Sequence, residues 1–191
     1  MLTIEEIARA CGAKIEHASL LAAPLNAAMT RFDISNPNRQ ACFLATVAIE
    51  SAHLSQLREN LFYRDPARLL TIFPRAFKTV KDAEPYARNP KALAQLLYEG
   101  YEGRGLLQLT WRKNYEAAGA ALRHDYVKFP DMVEQPEHAA LTAAWFWDTN
   151  GCNELADGRD MRSITRRVNG PALMHLTERT DMARRAMEWL A

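Results

Sequence analysis

Two glutamates are the first residues in this chain whose type and setting suggest chemistry. Glu50 follows the apolar run CFLATVAI and precedes two small residues, Ser51 and Ala52. A carboxyl in low dielectric keeps its proton closer to neutrality, and a protonated acid is what a departing glycosidic oxygen needs. Glu59 lies nine positions later, in LRENLFY. On one unbroken helix that separation is about 13 Å of rise and roughly half a turn, so the side chains would diverge. They can face each other across a groove only if the helix stops between them. The polar residues His53, Ser55 and Gln56 permit such a stop. A chain that turned back there would bring the carboxylates to about 6.5–9.5 Å with a water between them, the geometry of inversion; retention would need about 5–5.5 Å. Spacing alone leaves a plainer reading open, in which Glu50 pairs inside the core and Glu59 is a surface acid.

The elements that must position these residues are helices. Thr3 with Glu6 reads as a capping box. Asn36-Pro37, Asp65-Pro66 and Asn89-Pro90 each place a capping side chain before a proline at the first helical position. The helix from Pro37 carries Cys42, Phe43, Ala45, Val47 and Ile49 among small residues, which predicts burial on most sides. Gln135-Pro136 opens another helix that runs into Trp145, Phe146 and Trp147. A last amphipathic helix, from about His175 to Leu190, aligns Leu176, Met182, Ala186 and Trp189 or Leu190 on one stripe. The exception is YEGRGLLQLT, residues 101–110, where Gly103, Gly105 and alternating Leu107 and Leu109 predict a turn and one short extended pair. The fold class is therefore mainly α, with at most a short β-hairpin. The chain reads as one catalytic domain over 1–191, with a smaller lobe at about 58–100 where proline and aromatic residues concentrate.

The segment GRGLLQLTWRKNY (Gly103 to Tyr115), taken with IES at 49–51 and EN at 59–60, resembles the family 19 glycoside hydrolases and their phage endolysin relatives. The likeness continues through FPRAF (Phe73 to Phe77), Phe146-Trp147, ADGRD (Ala156 to Asp160) and VNG (Val168 to Gly170), in the family's order. PLNAAM (Pro24 to Met29) and RQACFLA (Arg39 to Ala45) are similar to the endolysin branch.

The resemblance implies an inverting hydrolase with a lysozyme-like, two-lobed helical fold and a central groove. Glu50 matches the family's general acid and Glu59 its general base. Gln108, Asn114 and Asn169 match amides that hold the sugar, Thr110 a hydroxyl that positions water, Tyr115 a groove-lining aromatic, and Arg179 an arginine that interacts with the acid. The residue types agree, because amides and hydroxyls offer sugars matched donors and acceptors without net charge. Gly103 and Gly105 would let the backbone approach a ligand closely. Thr110 as a helix cap and Tyr115 as core remain equally open, and Arg104 with Glu102 reads as an exposed ion pair. Two departures stand out: Ile49 occupies the place of the family's usual histidine, leaving His53 as a candidate substitute, and Pro171 replaces a second glycine after VNG.

Composition narrows the alternatives. Net charge is +1, 24 basic against 23 acidic residues, which argues against nucleic acid as the main partner. IEEIARACGAKIEHASLL faintly resembles a helix-turn-helix with Gly12 at the turn, but it lacks a basic second helix. Glu50 and His53 have ExxH spacing, yet a di-metal bundle needs that motif twice with two further glutamates, and Glu134 with Glu137 gives only ExxE. No metal and no cofactor are expected. Cys11, Cys42 and Cys152 are distant and odd in number, which favours a reducing compartment. The start of the chain lacks a secretory pattern, and no stretch approaches the ~20 apolar residues of a membrane helix. The expectation is a monomeric endolysin held in the host bacterial cytoplasm, acting on peptidoglycan glycan strands after release through a separate pore-forming protein. A chitinase and a non-catalytic glycan-binding relative are the alternatives.

Overall fold

Capping chemistry sets the element boundaries. A computed structural model of the chain describes residues 1–190, and the side chain of Trp189 lies outside the described residues. The order is α1 (Ile4–Cys11), α2 (Ile15–Arg31), α3 (Pro37–Glu50), α4 (Pro66–Ile72), α5 (Val80–Ala83), α6 (Pro90–Tyr98), α7 (Arg112–Leu122), α8 (Pro136–Thr149), α9 (Cys152–Asp157), α10 (Met161–Asn169) and α11 (Leu176–Leu190). Short 3-10 turns occupy Glu84–Tyr86, Pro130–Glu134 and Gly170–Ala172. Thr3 and Glu6 form the reciprocal capping box of α1. Asn36, Asp65 and Asn89 accept from the first-turn N–H groups of Arg39, Ala67 and Ala92. Gln135 precedes Pro136 without a side-chain cap.

α3 is the central helix. Its residues from Ala41 to Ala48 are all buried, as an apolar run uninterrupted by charge requires. It packs against α11, α1 and α9, while α2 lies on α8. Met182 and Ala186 supply the buried stripe of α11, with Leu176 packed at its edge. Phe43 meets Trp147 edge-on, with ring centroids 5.4 Å apart. α1 and α2 both contribute to this core, and Gly12 ends α1 in a left-handed conformation.

Two smaller apolar clusters flank the main one. Leu61, Leu69, Phe77, Ala83, Leu93 and Ala94 gather α4, α5 and α6 around a core of their own. Tyr115, Ala118, Leu122, Tyr126 and Val133 form the other beneath α7. The extended pair expected at 101–110 is a single antiparallel bridge, Arg104 to Leu109, closed around a turn, and Arg104 also bridges to Arg58. Leu106, rather than Leu107, enters the main core.

Candidate active site

The helix carrying Glu50 stops on that residue. Ser51 closes α3, and the next three residues, Ala52, His53 and Leu54, all adopt left-handed backbone with φ of 48°, 59° and 66°. Each such non-glycine residue costs roughly 1–2 kcal/mol, so the turn persists only because its surroundings over-determine it. Ser51 Oγ donates to the Val47 carbonyl at 2.6 Å and accepts from the Leu54 N–H at 3.0 Å. The His53 N–H reaches the Ala48 carbonyl at 2.7 Å, and its ring Nδ1 lies 2.7 Å from the Cys11 carbonyl. That tie turns His53 toward α1, so it does not replace the missing histidine beside the acid.

Glu50 meets different partners. Arg179, which has no exposed surface, donates from Nη2 to Glu50 Oε1 and, at 2.7 Å, to Asn169 Oδ1. Asn169 Nδ2 completes the triangle by donating to Glu50 Oε1 at 3.1 Å. The apolar setting expected for Glu50 is thus corrected. Its side chain is 17% exposed, and its carboxyl faces a buried guanidinium and an amide rather than apolar side chains.

Beyond the left-handed turn the chain runs extended and pairs with the glycine segment. The Glu59 N–H donates to the Gly103 carbonyl at 2.8 Å, and the Gly105 N–H to Leu57 at 2.8 Å. The Glu59 carboxylate receives two donors of its own: the Tyr98 hydroxyl on Oε1 at 3.0 Å and the Gly103 N–H on Oε2 at 3.3 Å. Burial, and then the charge of Glu59, push the Tyr98 phenol pKa far above its usual value, so it remains a donor. Tyr98 has no spacing signal and was not foreseen.

A cleft of about 440 Å³ is lined by Gln108, Thr110, Asn114, Trp145, Phe146 and Val168, among others. Two of its lining residues neighbour the groups that hold the glutamates: Val168 precedes Asn169, which donates to Glu50, and Gln108 lies beside Gly103, which donates to Glu59. Its polar groups form a chain. Gln108 Nε2 donates to Gly105, the Thr110 hydroxyl to the Gln108 carbonyl, and Asn114 Nδ2 to the Thr110 carbonyl, at 2.9, 2.7 and 2.7 Å. Thr110 does not cap α7, whose first turn has no side-chain cap. Gly103 serves this chain rather than direct ligand approach, because a Cβ there would stand 2.8 Å from Gln108 Oε1. Gly105 is required by its φ of 77°.

Tyr115 is corrected from groove wall to core. It is fully buried, and its hydroxyl donates to the Glu102 carbonyl at 2.8 Å. The expected exposed pair of Arg104 and Glu102 is a buried lattice, each residue 2% exposed. Arg104 donates to Glu102 Oε1 at 2.8 Å, Glu134 Oε1 at 2.9 Å and the Tyr115 hydroxyl at 3.1 Å, and Arg58 joins through Glu102. Among the described residues, no group of three or more His, Cys, Asp or Glu side chains is arranged to hold a metal ion, and no helix is long and apolar enough to cross a membrane.

Comparison with known proteins places this geometry in a family. The family model for class I chitinases of glycoside hydrolase family 19 matches residues 75–161. A glycosyl hydrolase family 19 domain-containing protein of Haemophilus influenzae is 31% identical over 166 residues, covering 80% of each chain. An endochitinase of Arabidopsis thaliana is 44% identical over 73 residues, which span only 25% of that protein. Among solved structures, chitinase C of Streptomyces griseus superposes with a TM-score of 0.67 at 20% identity, covering 98% of this chain and 76% of that one. A bacterial family 19 chitinase superposes with a TM-score of 0.68 at 22% identity, covering 99% and 94%; both show a shared fold. With a relative of that identity running along four-fifths of its length, the chain belongs to glycoside hydrolase family 19 and is a glycoside hydrolase.

Proposed function

We propose that this hydrolase is an endolysin that cuts the β-1,4 bond between N-acetylmuramic acid and N-acetylglucosamine in peptidoglycan, with inversion. The observation that carries the catalytic part is the separate anchoring of two carboxylates, Glu50 by Arg179 and Asn169, Glu59 by Tyr98 and Gly103. Glu50 enters the cycle protonated and gives its proton to the departing glycosidic oxygen. The Arg179 guanidinium then faces the carboxylate that this donation creates. Glu59 takes a proton from the water attacking the opposite face of the sugar. Thr110 spends its hydroxyl hydrogen on the Gln108 carbonyl, which leaves its oxygen as an acceptor for that water. Gln108, Asn114 and Asn169 offer the sugar's hydroxyl and N-acetyl groups neutral donors and acceptors.

The wall polymer is favoured by the endolysin-like PLNAAM and RQACFLA segments and by three unpaired cysteines, which suit a protein kept reduced before use. In this reading a monomer waits in the host bacterial cytoplasm and reaches its substrate through a separate pore-former. Hydrolysis of chitin is the second reading, favoured by the relatives named as chitinases.

Purified protein incubated with peptidoglycan and, separately, with chitin oligomers tests both. New reducing-end N-acetylmuramic acid from peptidoglycan alone, found by mass spectrometry, supports the endolysin. Cleavage of chitin alone overturns the substrate and keeps the mechanism. Cleavage of neither leaves a glycan-binding protein. Proton NMR of the first product should show the α-anomer, since inversion of a β bond yields it.

A further inference from the structure

We propose that Tyr98 is a positioning residue for Glu59, its hydroxyl fixing the carboxylate in the rotation that meets the attacking water. The proposal rests on Glu59 being the base. Tyr98 is the last residue of α6, which is anchored by the buried Leu93 and Ala94, and Glu99 ends that helix with left-handed backbone at φ 55°. The tyrosine is therefore delivered by a fixed helix end rather than a free loop. Its ring stands edge-on to Trp111, centroids 5.1 Å apart, which fixes the direction of the hydroxyl.

A carboxylate on a flexible glutamate stem turns freely unless its oxygens are tied. Gly103 ties Oε2 through a backbone N–H, a donor already committed to the geometry of its turn. Tyr98 ties Oε1 at 3.0 Å. Two donors on two different oxygens define the plane of the group, where one donor would leave a rotation. Each carboxylate oxygen accepts two hydrogen bonds, so both remain able to receive a proton from water. The phenol's raised pKa keeps its hydrogen in place across the working range.

The test is the Tyr98→Phe full-length enzyme, which keeps the ring against Trp111 and removes one hydroxyl, assayed on whichever glycan the wild type cleaves. The expected result, measured well below the melting temperature, is a fall in kcat of at least about tenfold with KM within about twofold, because a hydrogen bond to a charged group is being lost. The acidic limb of the pH–kcat profile should move to higher pH, since a carboxylate stripped of a donor binds its proton more tightly. A kcat within about twofold of wild type, or a loss matched by a lower melting temperature with the profile unmoved, overturns the proposal. Glu59→Gln run beside it separates the two assignments. If that variant turns over normally, the base is misassigned; if it is inactive while Tyr98→Phe is normal, only the positioning role fails.

Discussion

Arg179 and Glu50, 129 positions apart in sequence, form an ion pair whose basic partner has no exposed surface. The same Nη2 serves Asn169, and Nη1 lies 3.4 Å from the Thr46 carbonyl, so one guanidinium ties α11 to α3 and to the end of α10. A lysine ammonium cannot reproduce that planar fork. Arg179→Lys should lower kcat on the order of 10–100-fold and reduce unfolding free energy by about 3 kcal/mol, as expected when a buried pair loses its geometry. Steady-state kinetics with urea unfolding would check both. Wild-type values in each would mean that the pair neither holds the acid nor stabilises the fold.

Glu50→Gln retains the size and most contacts of the side chain but has no proton to donate. Turnover should fall roughly 10²–10⁴-fold, the usual contribution of a general acid. Circular dichroism should remain native, because Arg179 still finds an amide oxygen at the same place. Undiminished turnover by a natively folded variant would remove Glu50 from the mechanism.

What the sequence made visible follows from which interactions are local. The caps at Thr3, Asn36, Asp65 and Asn89 use partners two or three residues away, and all were readable. The amides Gln108 and Asn114 sit inside one contiguous motif and reach the cleft together. The stop after Glu50 was permitted but not forced. Its left-handed residues are Ala52, His53 and Leu54, and a search for helix breakers looks for glycine. Arg104 seemed exposed because Arg and Glu two apart usually are. Its burial depends on Glu134, 30 residues on, and on Tyr115, which the same lattice draws into the core. Tyr98 touches Glu59 across 39 positions, and no spacing rule could report it.

Stability should fall as the medium becomes acidic partly through His138. Burial, then the neighbouring His124, hold its pKa below the ordinary 6.5, against a smaller opposing pull from Glu137. The Tyr126 hydroxyl, whose phenol is pushed up to about 12 and keeps its hydrogen, lies 2.9 Å from His138 Nδ1, where a neutral ring with Nδ1 unprotonated can accept from it and a protonated ring cannot. A histidine with a depressed folded pKa stabilises fully above its unfolded value. That contribution is lost as pH falls from about 6.5 toward the folded value, because the unfolded chain binds the extra proton. The melting temperature should therefore drop between about pH 7 and pH 5, and His138→Gln should show a shallower drop. Equal slopes in the two proteins would exclude His138 as a contributor.

Arg104 joins the stability of the fold to the placement of Glu59. Its side chain, 3% exposed, neutralises Glu102 and Glu134, and Oε2 of Glu102 already lacks a hydrogen-bond partner. Arg104→Met keeps the apolar volume while leaving the buried Glu102 carboxylate and the partly exposed Glu134 carboxylate with only Arg58 between them. Removing one member of a buried pair costs about 3–5 kcal/mol, far above the 0–1 kcal/mol of an exposed one. Because Arg104 lies between Gly103 and Gly105, which pair with Glu59 and Leu57, kcat should fall even at temperatures where the variant is folded. Urea unfolding followed by tryptophan fluorescence, with kinetics at a temperature well below the transition, measures the two effects separately. A stability loss below about 1 kcal/mol would mean that water reaches the lattice and that it behaves as the surface pair the sequence suggested. A large loss with unchanged kcat would confine Arg104 to the fold and leave the Glu59 segment held by its backbone bonds alone.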